Sequence, residues 1–174
     1  GAKMIEVIDN CVSQEHLHHM QNIMLNNSFP WFFSNTKVGN DLPSQQDNYD
    51  CQFIHLFYHN MKPSSNYGDL IEPVLDILQP SALVRIKANL TTCADKVYNY
   101  PPHVDFFNFN GKTAIFYLNT NNGYTEFASG EKVESVENRL VIFDGNMEHS
   151  GTTHTDAKTR AVINFNYYTW LRAE

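Results

Sequence analysis

Polar and apolar residues alternate from Leu83 to Leu90. Leu83, Arg85, Lys87 and Asn89 fall on one side, and Val84, Ile86, Ala88 and Leu90 on the other. This period of two marks a strand with two unlike faces. Further strands are expected over Thr113–Leu118, Tyr124–Phe127, Lys132–Val136, Leu140–Phe143 and Arg160–Trp170. Between them lie turn signals at Asn119–Gly123, Ser129-Gly130 and Asp144-Gly145, and Asn122-Gly123 is a hairpin cue. Residues before 82 read as helical. Ser13 can cap a helix over Gln14–Asn26, with Val12, His16, Met20, Ile23 and Met24 near one face. A second helix is expected over Asn66–Leu78, with Pro73 in its first turns or kinking it and Pro80 ending it. Asn35–Asp50 is polar and reads as a long surface loop bordering a pocket. Helices first and short strands after predict one mainly β domain with flanking helices. It is a jelly-roll, with a helical part at about 1–80 and a strand core at about 82–172.

Composition sharpens this picture. Twelve Phe and nine Tyr in 174 residues favour half-buried pleated surfaces. Twelve basic against nineteen acidic residues leave a net charge of −7, which disfavours a nucleic-acid substrate. No apolar run reaches the ~20 residues a membrane span needs, and no signal peptide is expected. Cys11, Cys51 and Cys93 are widely spaced and form no CxxC pair, so neither a disulfide framework nor a zinc site is expected. A reduced, cytoplasmic setting fits.

The candidate chemistry lies in Pro102-His103-Val104-Asp105. On a strand, His103 and Asp105 would project to one face and could bind one metal ion. His149, after the strand Leu140–Phe143 and a turn, supplies a third ligand. Two histidines and one carboxylate form the facial triad of non-haem Fe(II) sites, which leaves three positions open. The bland alternative is a solvent-facing His and Asp. Arg160 opens an apolar strand, where an unpaired charge is expensive. It can hold a carboxylate in a bidentate fork, or it can pair with a surface acid such as Asp156. The hydroxyl of Tyr117 either reaches the same carboxylate or belongs to a plain core tyrosine. His16, His18, His19, His55 and His59 read as surface or packing residues, and His154 as solvent-exposed.

The stretches RIKANL, HVD, TAIFYLN, GYTEF, NRLVIFDG, HSG and RAVINFNY, in that order, resemble the 2-oxoglutarate/Fe(II) dioxygenases, most closely the prolyl 4-hydroxylase-like branch. The resemblance covers about residues 82–170. It implies a double-stranded β-helix of cupin-like type, with His103, Asp105 and His149 as iron ligands. Arg160 would bind the far carboxylate of 2-oxoglutarate, with Tyr117 beside it. It also implies Fe(II), 2-oxoglutarate and O₂ as cofactors, with ascorbate as a reductant. The reaction would hydroxylate a C–H bond of a prolyl residue in a peptide, or of a small metabolite, with release of succinate and CO₂. Val162 departs from the family, whose members often carry Ser or Thr two residues after the Arg. Many prolyl hydroxylases also have a tyrosine about ten residues before HxD, which is absent here; Tyr98 or Tyr100 are candidate substitutes. Two rivals stand beside this reading: a cupin-type metalloenzyme that does not use 2-oxoglutarate, and a non-catalytic jelly-roll binding module.

Overall fold

The computed structural model describes residues 5–37 and 49–170. Most of the expected 35–50 loop lies outside them. Among the described residues, eleven strands, two helices and a 3-10 turn follow one another. β1 spans Ile5–Ile8, α1 Gln14–Met24, β2 Phe32–Ser34, β3 Gln52–His59 and β4 Lys62–Pro63. The 3-10 turn is Gly68–Leu70 and α2 is Glu72–Leu78. Then come β5 at Ala82–Thr92, β6 at Lys112–Tyr117, β7 at Tyr124–Phe127 and β8 at Lys132–Glu134. β9 is Arg139–Asp144, β10 His149–Ser150 and β11 Thr159–Tyr168. The large sheet runs β1-β9-β6-β11-β5-β3-β2, with β4 on the edge of β3; the small sheet runs β10-β7-β8. All pairs are antiparallel, and the architecture is a jelly-roll with two helices outside it.

The large sheet buries both faces, and period two decides which residue goes where. Ile86, Ala88 and Leu90 of β5, Ala114 and Phe116 of β6, and Ala161, Ile163 and Phe165 of β11 pack with Leu17, Met20 and Met24 of α1 and Val74 and Leu78 of α2. The alternate residues face the interior of the roll. Ile115, Tyr117, Val141, Phe143 and Val162 meet Phe127 and Val133 of the small sheet. Ser13 caps α1 as expected, accepting from the His16 amide at 3.1 Å. Pro73 falls in the first turn of α2, where it costs no hydrogen bond. The helix stops at Gln79, whose left-handed backbone (φ 46) turns the chain toward Pro80.

Three expectations are corrected. Residues before 82 are not only helical: β1 to β4 lie there, and β3 sits inside the large sheet beside β5. Asn122-Gly123 does not close a hairpin, because β6 and β7 belong to different sheets. The Asn122 amides are spent instead on the 155–156 segment. Its side chain bonds Thr155 Oγ1 at 2.8 Å, and its backbone N–H donates to Asp156 at 2.9 Å. His154 is fully buried rather than exposed. The chain around it packs on residues 94–98, with the Ala94 amide donating to His154 O and the Thr153 amide to Tyr98 O.

Candidate metal centre

His103 and Asp105 do not sit on a regular strand. They lie in the long β5–β6 connection, His103 in a single bridge and Asp105 in a bend. The bridge partner of His103 is His149, the first residue of β10. The two residues exchange both backbone hydrogen bonds at 3.0 Å, and their rings stand 4.7 Å apart. The Nε2 atoms of His103 and His149 are 3.6 and 3.7 Å from Asp105 Oδ1. Ligand atoms of all three lie within 4.8 Å of one another. The two Nε2–Oδ1 gaps exceed a hydrogen bond and fall short of twice a ~2.1 Å metal–ligand bond, so one ion can bridge them.

The surroundings orient the donors. His149 Nδ1 meets Met147 O at 3.1 Å, and His103 Nδ1 meets Pro101 O at 3.4 Å. A ring N–H given to a carbonyl places the lone pair on the other nitrogen, here the Nε2 that faces Asp105. Asp105 Oδ2 accepts from Asn166 Nδ2 at 2.8 Å and lies 3.9 Å from an Arg85 nitrogen, which leaves Oδ1 for the histidines. Burial alone would raise the Asp105 carboxyl. His103, His149, the Asn166 amide and Arg85 outweigh it and hold the group well below the usual carboxylate range. Burial pushes His149 down, toward the neutral form that binds metal. An anionic carboxylate and a neutral imidazole are the protonation states that a divalent cation requires, so these residues fit one.

The triad opens onto a cavity of about 450 Å³ walled by β3, β5, β11 and the small sheet. Arg160 lies in its wall, buried, with a single hydrogen bond from Nε to Ser135 Oγ at 3.1 Å. It makes no ion pair among the described residues, since Asp156 is occupied by the Asn122 amide. Burial works against its charge, and no carboxylate among the described residues offsets that cost. Tyr117 is fully buried, 6.0 Å from the Arg160 guanidinium carbon to its ring centre. Its hydroxyl bonds Thr125 Oγ1 at 2.7 Å, and Thr125 rather than Tyr117 forms the cavity wall. Tyr100 also lines the cavity, whereas Tyr98 does not.

No known protein-family model matches the chain, and no curated protein matches it in sequence. Solved structures do. A Trichoplax adhaerens prolyl hydroxylase, in complex with a hypoxia inducible factor oxygen degradation domain peptide fragment, aligns with a TM-score of 0.67 at 13% identity, over 94% of this chain and 83% of that one. A Pseudomonas putida prolyl-4-hydroxylase aligns at 0.59 and 12% identity, over 95% and 92%. SnoN, a non-heme alpha ketoglutarate dependent epimerase from nogalamycin biosynthesis, aligns at 0.64 and 11% identity, over 95% and 78%. The fold is that of the 2-oxoglutarate/Fe(II) oxygenases.

Within this oxygenase fold, four residues that sequence reasoning did not assign surround the site. Asn166 is fully buried and anchors Asp105; its signal was an Asn alternating with Arg160, Val162 and Asn164 in an otherwise apolar strand. Arg85 and Lys87 line the cavity from β5, where the period of two already placed them together. Gly123 lets Arg160 pass: a Cβ there would lie 2.9 Å from Arg160 Cδ and Nε and 2.8 Å from Asn121 Oδ1. No pattern in the sequence points to that contact.

Proposed function

We propose that the chain is a Fe(II)- and 2-oxoglutarate-dependent oxygenase that hydroxylates a C–H bond, with release of succinate and CO₂. The observation that carries this reading is the pairing of two features in one cavity: three convergent ligand atoms, and a buried Arg160 with no carboxylate partner among the described residues. His103, Asp105 and His149 would hold the metal, and Arg160 would take the far carboxylate of 2-oxoglutarate. Bound there, ferrous iron supplies the activation of O₂ coupled to decarboxylation of the cosubstrate.

The chain's own residues supply position and electrostatics. Met147 O and Pro101 O hold the histidine rings with Nε2 inward, and Asn166 holds Asp105 with one oxygen free. Arg160 lies across the sheet from Thr91 and lines the same cavity as the triad, where it would meet the far carboxylate of the cosubstrate. Tyr117 would act on the cosubstrate end through Thr125, whose oxygen it fixes. The unpaired Arg160 favours this reading over a cupin-type enzyme that needs no dicarboxylate. The prolyl hydroxylases that share the fold suggest a prolyl peptide as substrate; a small metabolite is the other class.

Succinate release tests the reading. Fe(II)-loaded protein incubated with 2-oxoglutarate in air should form succinate slowly without further substrate, and Asp105→Ala should form none. Absence of succinate from the wild-type chain under every substrate supplied would count against it.

A further inference from the structure

Of the four cations that line the cavity among the described residues, Arg160 serves the cosubstrate and Lys37 stands over the Tyr100 ring, 3.3 Å from its centre; Arg85 and Lys87 have no use in the function proposed above. Arg85 and Lys87 both line it from β5, two residues apart and therefore on one face, with Cα atoms ~7 Å apart. Among the described residues, the Lys87 amine has neither a hydrogen bond nor an ion pair. Arg85 has one carboxylate nearby, Asp105 at 3.9 Å, which already accepts from Asn166 at 2.8 Å. Arg85 Nε is buried and has no partner. The Phe106 ring, 4.6 Å from the guanidinium carbon, fixes its plane.

Charge makes the gap concrete. Asp105 is the one acid among the described residues of the cavity wall, in a chain whose net charge is −7. Ferrous iron, Asp105, Arg160 and dianionic 2-oxoglutarate together cancel. Arg85 and Lys87, both partly buried, then remain uncompensated, and cations withdrawn from water are retained at a cost unless an anion meets them. Arg160 cannot share its anion with them easily: it pairs across the sheet with Thr91, four residues and ~13 Å along β5 from Lys87. Asn89 Oδ1 and Asn164 Oδ1, on the same wall, are also buried without partners. Asn164 stands directly opposite Lys87.

We propose that Arg85 and Lys87 form a second anion subsite beside the metal ligands, which takes a carboxylate of the primary substrate. That substrate is then a small organic acid, such as a free amino or hydroxy acid, rather than an internal prolyl residue of a peptide. The idle oxygens of Asn89 and Asn164 would accept hydrogen bonds from its N–H or O–H groups. The subsite stands on the geometry alone; its assignment to the primary substrate rests on the oxygenase reading.

The test is amide NMR on the full chain, titrated at constant ionic strength with acetate and, as the neutral match, acetamide. Acetate should shift the amides of residues 85–89 saturably and acetamide should not. Lys87→Met should weaken that response about tenfold or more, the scale of one charge-assisted hydrogen bond, and Lys87→Gln should do the same. Arg160→Met should leave it in place. The response should persist when the protein is first saturated with Zn(II) and 2-oxoglutarate. Overturning results are no saturable shift at 85–89, an equal response to acetamide, or loss of the response under 2-oxoglutarate, which would assign the subsite to the cosubstrate. Failure of the oxygenase reading would look different: Zn(II) and 2-oxoglutarate would leave the amides near His103, His149 and Arg160 unmoved, whatever acetate does at Lys87.

Discussion

His103 and His149 are 46 residues apart in sequence and exchange two backbone hydrogen bonds, each 3.0 Å long. A reciprocal pair of this kind locks the two Cα atoms in register, so the imidazoles meet before any metal arrives. Asp105 completes the set from two residues away. The donors are thus placed by backbone and oriented by Met147 O, Pro101 O and Asn166. A preorganised set binds metal without first ordering a loop.

Removing the support should therefore weaken metal binding without removing a ligand. Asn166→Ala frees Asp105 Oδ2 and should lower divalent-metal affinity by about 10–100-fold, the usual scale for groups that orient ligands. His103→Ala and Asp105→Ala should abolish it. Competition against a chromophoric chelator reads all three, and unchanged affinity in Asp105→Ala would remove that residue from the site.

Arg160→Met should raise the dissociation constant for 2-oxoglutarate about tenfold or more, since a charge-assisted buried pair is worth ~1.5–3 kcal/mol. Metal affinity should not move. Arg160→Lys should recover part of the loss, because an ammonium keeps the charge but not the planar fork. Calorimetry with Zn(II) in place of iron separates the two constants.

Gly123→Ala tests the placement of that guanidinium without touching it. The new methyl would lie 2.9 Å from Arg160 Cδ and Nε, so the side chain must shift. The expected outcome is a folded protein with weakened 2-oxoglutarate binding and intact metal binding. An unaltered 2-oxoglutarate constant would show that Arg160 is not the cosubstrate's anchor.

Lys87 gives a pH prediction. Burial, and then Arg85, push its amine down to about 8 from 10.5, against the pull of Asp105. Below pH 8 the lysine is charged in folded and unfolded chains alike, and the burial penalty is felt in full. Between about 8 and 10.5 the unfolded chain still holds a proton that the folded chain has released, so stability rises with pH across that window. Lys87→Met should stabilise the metal-free protein at pH 7, on the order of 2–3 kcal/mol, and the gain should shrink as pH approaches 10.5. Denaturant melts at pH 7 and pH 10 check this; a destabilised Lys87→Met would mean that the amine has a structural partner.

The sequence was legible wherever the information was local. The two sides that alternation assigns to 83–90 are the core and cavity faces of β5, the strand expected from Arg160 is β11, and the ligand atoms of His103, Asp105 and His149 lie within 4.8 Å of one another. Long-range pairing was not legible. β3, Gln-Phe-Ile-His-Leu-Phe-Tyr-His, carries no clean alternation because both its faces are partly covered, so no local signal marks it as a strand. The Asn-Gly cue failed because Asn122 bonds a segment more than thirty positions later in the chain. His154 departs from expectation for the same reason: its turn is polar, but residues 94–98 cover it. HxD was expected on a strand and needs none, since one bridge to His149 suffices.

The most direct measurement is the visible spectrum of the anaerobic protein with Fe(II), before and after 2-oxoglutarate. A weak charge-transfer band that appears only with both present, and is lost in Asp105→Ala, is the predicted result. Tight Fe(II) binding with no band would contradict the role of 2-oxoglutarate and favour a cupin-type enzyme; no Fe(II) binding would contradict the metal centre itself.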